Sequence, residues 1–398
     1  ELTGTVVLIL IASGIFSAMM KASGVADGLV FLGGMLHLTG HAFTVFVLLA
    51  SSLMAAATGS SIGTLLAAMP IFFPAGVALG ADPTMLAGAV LSGAIFGDNL
   101  APVSDVTVIS SVTQRFRNGT PADIAGVVRT RLPYAMIALA VSLPVYAFMG
   151  ESLPVSEAAL SGDASALLML VPVAVLIAVA VRTRDVLMAI SAGTATGLLI
   201  GRLSFATIFA AVDGRLSGFL ISGISNVSPI ILLCVTLFAF TGIVREAGVP
   251  DMMAKALEAG SAGRPSALRT ELFLSAATLV VTTLFAAVTS ASVALVGSLT
   301  DDIGRASNVH PYRRSHILSG LANSLPVLMP FSAFVLITMA AVSGLEGAAA
   351  VTPFTLMTAA FYPIALFLVF GFMVLTGTGR MMETPEPEAA EAKTATAL

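Results

Sequence analysis

Long apolar segments recur along the whole chain and constrain its fold more than any other feature. A bilayer core about 30 Å thick needs about 20 apolar residues per helix. Only 10% of the 398 residues are charged and 57% are hydrophobic, whereas a soluble domain carries about a quarter charged residues. We therefore expect an all-α integral membrane protein. The candidate spans are residues 2–20, 84–113, 131–149, 166–181, 186–201, 228–244, 315–342 and 352–376.

Two further apolar stretches, residues 43–79 and 272–300, are interrupted midway by small polar residues at 58–61 and 289–292. Each half has about 15 apolar residues, which is short for a full crossing. A non-helical tip at membrane depth is tolerated where protein or a water-filled cavity surrounds it. Each stretch is therefore predicted to form a re-entrant helical hairpin.

The distribution of basic residues agrees with two re-entrant hairpins. With that topology, fifteen of the 18 Lys and Arg residues, among them Arg131, Arg313 and Arg314, fall on one face of the membrane. The positive-inside rule makes that face cytoplasmic. We expect a multi-pass protein of the inner (plasma) membrane with a cytoplasmic C-terminus. The Glu-, Ala- and Pro-rich residues 383–398 are predicted to form a disordered cytoplasmic tail.

The chain also contains an internal repeat, which is common in transporters. Three landmarks occur in the same order in both halves of the chain. The first is Gly14-Ile15 with a Gly-Val-Ala-Asp run at 24–27, which parallels Gly242-Ile243 with a Gly-Val-Pro-Asp run at 248–251. The second is the pair of polar tips, and the third is residues 91–93, which parallel 318–320. Because the two hairpins enter from opposite faces, we predict two inverted repeats, each with a re-entrant hairpin and an interrupted transmembrane helix. They occupy residues 1–150 and 151–382. The second has two preceding spans, so we expect the first to lack its first two helices, roughly 50 residues.

One polar segment, residues 96–107, lies in the middle of an apolar window. It contains Asp98, Asn99, Ser104, Asp105 and Thr107. Gly97 and Pro102 should break the helix here, and a broken helix leaves carbonyl groups free to bind a small cation. Intramembrane acids are costly and typically mark ion or proton pathways. Alternatively, Asp98 caps a half-helix that begins near Leu100, and Asp105 satisfies backbone groups freed by Pro102.

Other polar residues could complete such a site. In the second repeat, the segment equivalent to 96–107 contains Pro interruptions and polar residues but no acid, so only the first repeat can titrate there. The candidates are the first hairpin tip, Thr58, Ser60 and Ser61; the second tip, Thr289, Ser290 and Ser292; and Asn323 with Ser324. Helix-interface hydrogen bonding is the alternative role for these residues. His310 and His316 could sense pH, or could simply be solvated in a loop.

Several function classes lack the residues that they need. The chain has no Ser-His-Asp order, no Walker lysine motif and a single Cys, so we predict no enzyme activity, no ATP coupling and no cofactor. Trp is absent and the basic residues form no patch, which argues against a nucleic-acid partner. Because the polar residues gather at two interrupted segments, a carrier is favoured over a passive channel.

The runs LSGAIFGDNLAPVSDVT at 91–107 and TGSSIGT at 58–64 resemble the NhaC family of sodium/proton antiporters in the ion transporter superfamily. The resemblance implies secondary active transport through inverted repeats, with Asp98, Asn99 and Asp105 as sodium ligands and the first hairpin tip as their neighbour. Val106 stands where relatives often have a hydroxyl residue, which removes one side-chain ligand. The family also includes carriers of organic acids and amino acids, and it suggests a homodimer.

These observations give two hypotheses. In the first, the protein exchanges sodium for protons by alternating access, with Asp98 or Asp105 alternately binding the two cations. In the second, it is a sodium-coupled transporter or exchanger of a small organic acid or amino acid. There the same acids bind sodium and the polar tips bind the organic substrate. A half-helix N-terminus with Ser and Asn could bind a carboxylate without an intramembrane Arg.

Overall fold

A computed structural model describes residues 2–23, 25–150, 170–183, 185–201, 205–212, 215–248 and 266–383, with single positions 153, 155, 167 and 168. Its helices are α1 (Leu2–Ala22), α2 (Val25–Met35), α3 (Gly40–Thr58), α4 (Ser61–Ala78), α5 (Pro83–Leu100), α6 (Asp105–Val112), α7 (Ile124–Phe148), α8 (Leu170–Thr183), α9 (Val186–Ile200), α10 (Phe205–Ile208), α11 (Phe219–Glu246), α12 (Ala267–Leu284), α13 (Thr289–Ala306), α14 (Pro311–Ala322), α15 (Leu325–Leu328), α16 (Ala333–Val342), α17 (Pro353–Ala359) and α18 (Phe361–Thr376), with a 3-10 turn at Ala348–Ala350. The described part of the chain is mostly helical, as predicted, and the strands β1 (Ala210–Val212) and β2 (Arg215–Ser217) add one short antiparallel ribbon.

The described helices support a multi-pass membrane protein. Five are long and apolar enough to cross a membrane, or up to eight crossings if each of three bent helix pairs is one span. One bent pair combines α1 with α2, a helix that the apolar windows did not predict; the two meet at 65°. Helix α7 begins at Ile124, seven residues before the predicted start at Arg131, because Asp123 caps it by accepting a hydrogen bond from the Gly126 amide at 2.6 Å.

The first interrupted stretch forms a tight hairpin of α3 and α4. Its arms have 19 and 18 residues, about 28 and 27 Å of helix, so the prediction of arms too short to cross a bilayer is wrong. The turn is made by Gly59 and Ser60, and Gly59 has φ +68°. A Cβ atom on Gly59 would lie 2.6 Å from a Val103 methyl group. The hairpin tip therefore packs against residues 101–104, the break between α5 and α6.

The break between α5 and α6 lies later in the sequence than predicted. Helix α5 continues through Gly97 and Asp98 to Leu100, and α6 begins at Asp105. Pro102 falls inside the four-residue break, whereas Gly97 is helical. Asp98 is consequently part of the last turns of α5.

The second interrupted stretch has the same arrangement. Helices α12 and α13 form a hairpin whose tip, residues 285–288, includes Ala286 and Ala287 with positive φ. The prediction of a tip at 289–292 is wrong, because these residues form the first turn of α13. The Ala333 amide donates to the Ala286 carbonyl at 2.8 Å, so this tip packs against the break that precedes α16. The span from α14 to α16 is bent by 52°.

The two hairpins open towards opposite ends of α7. At the first, the Gly40 amide donates to the Leu79 carbonyl at 2.9 Å, and Leu153, just past the end of α7, donates to Gly80. At the second, Asp301 accepts from the Arg115 amide at 2.8 Å, in the loop that precedes α7. We call this second end, which includes Arg115, Arg117, Arg305 and Arg380, the basic end.

Helices α3 and α5 approach closely through two glycines spaced by four residues. A Cβ atom on Gly93 would lie 2.4 Å from the Leu48 carbonyl oxygen, and one on Gly97 would lie 2.3 Å from the Ser52 carbonyl oxygen. Small residues at this spacing let helix backbones approach inside membranes. This contact sets the first hairpin tip beside the end of α5.

Hydroxyl groups satisfy the backbone at the bend between α17 and α18. The Tyr146 hydroxyl donates to the Ala359 carbonyl at 2.7 Å and accepts from the Phe361 amide at 3.0 Å. The Ser92 hydroxyl accepts from the Tyr362 amide at 3.2 Å. Backbone groups that a helix break frees inside a membrane need such partners.

Several charges predicted to lie on the cytoplasmic face are buried inside the protein. Arg131, Arg313 and Arg314 are each 0% exposed. The Arg313 guanidinium binds Glu271 through Nε and Nη2 at 3.0 and 3.2 Å. Arg314 binds the largely buried Asp301 at 2.7 Å.

Some predictions concern residues outside the described part of the chain. They are the tail beyond Glu383 and the repeat landmark at 249–251. Glu383, the first residue of the predicted tail, is ordered by hydrogen bonds. Its carboxylate accepts from the Arg117 amide at 2.7 Å, and its own amide donates to the Asn308 carbonyl at 2.8 Å.

Candidate functional site

Asp98 is a buried carboxylate at the end of α5. It is 4% exposed, and its Oδ2 accepts a hydrogen bond from the Ser61 hydroxyl at 3.2 Å. Ser61 is the first residue of α4, directly after the hairpin tip. The Ser104 hydroxyl of the break is buried beside the same carboxylate and has no hydrogen-bond partner among the described residues. Three elements, the first hairpin, α5 and the break, therefore meet at Asp98.

The other two hydroxyls of the first tip shape the hairpin and are engaged locally. The Ser60 side chain caps α4 by accepting from the Gly63 amide at 3.0 Å. The Thr58 hydroxyl donates to the Met54 carbonyl one turn back, at 2.9 Å. Of the three predicted tip residues, only Ser61 directs its hydrogen bond to Asp98.

The two acids have different environments. Asp105 is exposed and is the first residue of α6, where the helix dipole favours a negative charge. The two carboxylates are close enough for their charges to interact. The alternative that Asp98 caps the second half-helix is wrong, because that helix begins at Asp105 and Ser104 occupies its N-cap position.

Asn99 and Thr107 contact a residue that the sequence did not single out for the site, Arg131. The Arg131 Nη1 atom donates to the Asn99 carbonyl oxygen at 2.6 Å and to the Thr107 hydroxyl at 3.2 Å. Asn99 is in the last turn of α5 and Thr107 is in the first turn of α6, so one guanidinium group bridges the break. The Asn99 side-chain amide donates to the Tyr362 hydroxyl at 3.2 Å.

The Nε and Nη2 atoms of Arg131 have no hydrogen-bond partner among the described residues, although the side chain is fully buried. A sequence signal for this residue does exist. Asp123 is followed three residues later by Gly126, and an Asp before an apolar run is typical of a helix N-cap. A helix that begins there places Arg131 two turns inside α7, at the level of the break.

The candidate residues of the second hairpin bond within their own unit. Ser292 donates to the Thr289 carbonyl at 3.0 Å and accepts from the Thr282 hydroxyl at 3.0 Å. Ser290 is half-buried in the first turn of α13. None of their hydrogen bonds reaches Asp98, so within the described residues these side chains do not form one cluster with the first hairpin tip.

At the second break, Asn323 and Ser324 differ. The Ser324 hydroxyl donates to the Leu321 carbonyl at 2.7 Å. Asn323 is 0% exposed, and neither its amide nitrogen nor its amide oxygen has a hydrogen-bond partner among the described residues. Asn323 therefore offers a free buried donor and acceptor.

The two histidines considered as pH sensors are both held by hydrogen bonds at helix α14. His316 lies inside α14 and is 0% exposed, with Nε2 at 2.8 Å from the Thr130 hydroxyl. His310 caps α14 by accepting from the Tyr312 amide at 3.2 Å. Burial lowers the pKa of His310. The expectation that both histidines lie in a loop is wrong for His316.

A small cavity adjoins the first hairpin tip. It has a volume of about 20 Å³ and is lined by Thr58, Thr64 and Asp185, among others. A space of this size can hold a water molecule. It lies between the hairpin and helices α8 and α9.

The comparisons with known proteins concern the part of the chain that contains this site. Residues 2–151 match the model of the Na+/H+ antiporter family. The resemblance to NhaC-type antiporters is confirmed for this segment. The match includes Asp98, Asp105, Arg131 and the first hairpin.

Two curated relatives align with parts of the chain. The chain is 33% identical over 144 residues to a "Malate-2H(+)/Na(+)-lactate antiporter" of Bacillus subtilis (strain 168), over 36% of this chain and 29% of that protein. It is 39% identical over 104 residues to a "Na(+)/H(+) antiporter NhaC" of Alkalihalophilus pseudofirmus, over 25% of this chain and 22% of that protein. The chain thus matches less than a third of the length of either relative.

Two solved membrane transporters share a weak structural similarity with the chain. The YdaH transporter of Alcanivorax borkumensis is 12% identical, with a TM-score of 0.40 over 93% of this chain and 85% of that one. MtrF of Neisseria gonorrhoeae is 10% identical, with a TM-score of 0.38 over 94% of this chain and 81% of that one.

Proposed function

We propose that the protein is a secondary active transporter that exchanges sodium for protons across the plasma membrane. The observation that carries this proposal is the environment of Asp98, a buried carboxylate that receives a hydroxyl hydrogen bond from a hairpin tip at a helix break. The match of residues 2–151 to the Na+/H+ antiporter family supports it.

Competition for one carboxylate provides the exchange mechanism. An ionised acid inside a membrane is costly, so Asp98 favours a bound proton or a bound cation over an empty ionised state. Sodium would be held by the Asp98 carboxylate, the Ser61 and Ser104 hydroxyls, and carbonyl groups that the break frees. Each occupant excludes the other. Asp105, exposed at the start of α6, would attract cations towards this site.

Alternating access would come from two inverted repeats that move around the site. The opposite openings of the two hairpins, and the contact of each tip with a helix break, support this architecture. The positive-inside rule favours a cytoplasmic basic end and with it a cytoplasmic C-terminus. The free side chain of Asn323 supports a contribution from the second repeat. Homodimerisation remains a proposal from the resemblance alone.

A second candidate function is a sodium-coupled exchanger of a small organic acid. The buried Arg131 beside the break favours it, because a guanidinium group binds carboxylates well. The relative from Bacillus subtilis is named for malate and lactate.

Transport by purified protein in liposomes would test the first proposal. Sodium added to vesicles that contain a pH dye should drive proton movement, and this movement should persist when potassium and valinomycin clamp the voltage. Asp98→Asn should abolish it, whereas Asp302→Asn, an exposed acid paired with Arg305, should not. Absence of sodium-driven proton movement in the parent protein, or full activity of Asp98→Asn, would contradict the proposal.

A further inference from the structure

The free edge of the Arg131 guanidinium group is the feature from which we infer a second binding site. Arg131 is fully buried, and only Nη1 has hydrogen-bond partners among the described residues. A buried donor without a partner is destabilising, and this holds more strongly for a charged group. A ligand that accepts from Nε and Nη2 would remove this cost.

Other arginines of this protein show what fits the same edge. Arg313 and Arg380 both direct Nε and Nη2 to the Glu271 carboxylate, at 3.0 and 3.2 Å and at 3.2 and 2.9 Å, respectively. Paired N–H donors match the two oxygens of a carboxylate in geometry and charge. At Arg131 the edge is the same, but no carboxylate lies within 4 Å among the described residues.

The position of Arg131 links this edge to the sodium site. Its Nη1 atom is fixed by the Asn99 carbonyl and the Thr107 hydroxyl, on both sides of the break that also borders Asp98. The charged or titratable groups near Arg131 are Asp98, Tyr362 and His316. With Asp98 ionised, the buried charges of Asp98 and Arg131 offset each other, whereas the Asp105 side chain is exposed. Once sodium neutralises Asp98, the Arg131 charge is left uncompensated.

We propose that the Nε–Nη2 edge of Arg131 binds the carboxylate group of a small organic acid, and that this anion binds together with sodium. Sodium on Asp98 and a carboxylate on Arg131 leave the loaded site neutral, which lowers the cost of moving both through the membrane. The proposal rests on the proposed function for its coupling to sodium, and it names the class of organic substrate.

Binding of labelled lactate to the purified full chain in detergent would test this inference, with sodium or choline as the cation. Lactate should bind saturably, more tightly in sodium than in choline. Acetate and propionate should compete, whereas lactamide, which lacks the carboxylate, should not. Chloride at the same concentration should also fail to displace lactate, because a single spherical anion cannot match both donors.

Arg131→Lys retains the positive charge but lacks the paired donors, so lactate affinity should fall about tenfold or more. Arg129→Lys, an exposed arginine two residues away, is the matched control and should bind like the parent. Gel filtration of both variants establishes that they are folded. If Arg131→Lys does not fold, the competition experiment on the parent protein still tests whether the site binds a carboxylate group.

Three results would overturn the inference: no saturable carboxylate binding in sodium, equal competition by lactamide, or parental affinity in Arg131→Lys. Sodium-driven proton movement in the same preparation separates the two proposals. If it is present without carboxylate binding, only the inference fails. If carboxylate binds but sodium moves no protons, sodium/proton exchange fails and the carboxylate site stands.

Discussion

At the residue scale, neighbouring side chains of the same chemical type have different roles. Ser60 and Ser61 are adjacent in the sequence, but Ser60 caps α4 through the Gly63 amide whereas Ser61 donates to Asp98. The difference follows from helix geometry, since an N-cap side chain turns back towards its own helix and the first helical residue projects away from it. The hydroxyl-rich tip therefore combines one structural serine with one candidate ligand.

Ser61→Ala should weaken sodium binding by about tenfold, because a hydrogen bond to a charged group contributes about 1.5–3 kcal/mol. Ser60→Ala should instead lower the stability by about 1 kcal/mol and leave sodium affinity close to that of the parent protein. Sodium titrations of proton movement in liposomes, together with thermal unfolding, measure both quantities. Equal effects of the two substitutions on sodium affinity would argue against a specific role for Ser61.

At the element scale, the α3–α5 contact determines where the first hairpin tip lies. Gly93 and Gly97 let the α5 backbone touch the α3 backbone, and the tip is then held at the break that borders Asp98. An added methyl group at Gly97 would lie 2.5 Å from the Ala55 Cβ atom, so the two helices would have to separate. The geometry of the site thus depends on the absence of a side chain at Gly97, the residue directly before Asp98.

Gly97→Ala should destabilise the protein by about 1–3 kcal/mol, the typical cost of overpacking, and should also weaken sodium binding because the tip moves. Gly371→Ala in α18 is the control, since a Cβ atom there would meet nothing within 4 Å. Thermal unfolding and sodium-driven proton movement would be measured for both variants. A Gly97→Ala protein as stable and active as Gly371→Ala would show that the close helix approach is not needed.

At the scale of the whole molecule, a buried charge cluster holds the basic end together. Glu271 at the start of α12 binds both Arg313 in α14 and Arg380 after α18. The contact with Glu271 raises the pKa of Arg380, so this group stays charged. Arg313 also donates to the Thr378 and Met373 carbonyls at 2.9 and 2.7 Å. These bonds give partners to backbone carbonyl groups at and just after the C-terminal end of α18.

Glu271→Gln should lower the free energy of unfolding by about 3–5 kcal/mol, because it leaves the buried Arg313 without a counter-charge. Asp302→Asn removes an exposed partner of Arg305 and should change the stability by about 1 kcal/mol or less. Thermal unfolding in detergent micelles compares the two. A similar small change in both variants would mean that the buried pair contributes no more than a surface pair.

The orientation of the molecule in the membrane gives a further prediction at this scale. Asn118 lies in the exposed loop at the basic end, and Ala349 lies at the other end, where the Ala350 carbonyl accepts from the Thr84 hydroxyl. With Cys234 replaced by Ser, a membrane-impermeant maleimide should label Ala349→Cys in intact cells and Asn118→Cys only after lysis. The reverse pattern would place the basic end outside.

The sequence by itself determined the class of the protein and the segment that contains its candidate site. Membrane spans follow from the length of apolar runs, and Asp98 stands out because a carboxylate in such a run is costly. The positions of the breaks were predicted only approximately, since Gly97 remained helical and only Pro102, which lacks an amide hydrogen, fell inside the break. The prediction of hairpin arms too short to cross was wrong, because α3 begins three residues before the predicted stretch, at Gly40, and both helices continue to the turn at Gly59 and Ser60.

Only the tertiary structure decided which polar groups meet and which charges are buried. Ser61 and Asp98 are 37 residues apart in sequence and meet because α3 and α5 pack through glycines. Arg131, Arg313 and Arg314 looked like loop charges, since an arginine near the end of an apolar run is compatible with either side of a membrane boundary. Glu271 is a long-range partner that compensates the burial of Arg313, and the α5–α6 break binds one side of the Arg131 guanidinium group. Such partners leave no local pattern in the sequence.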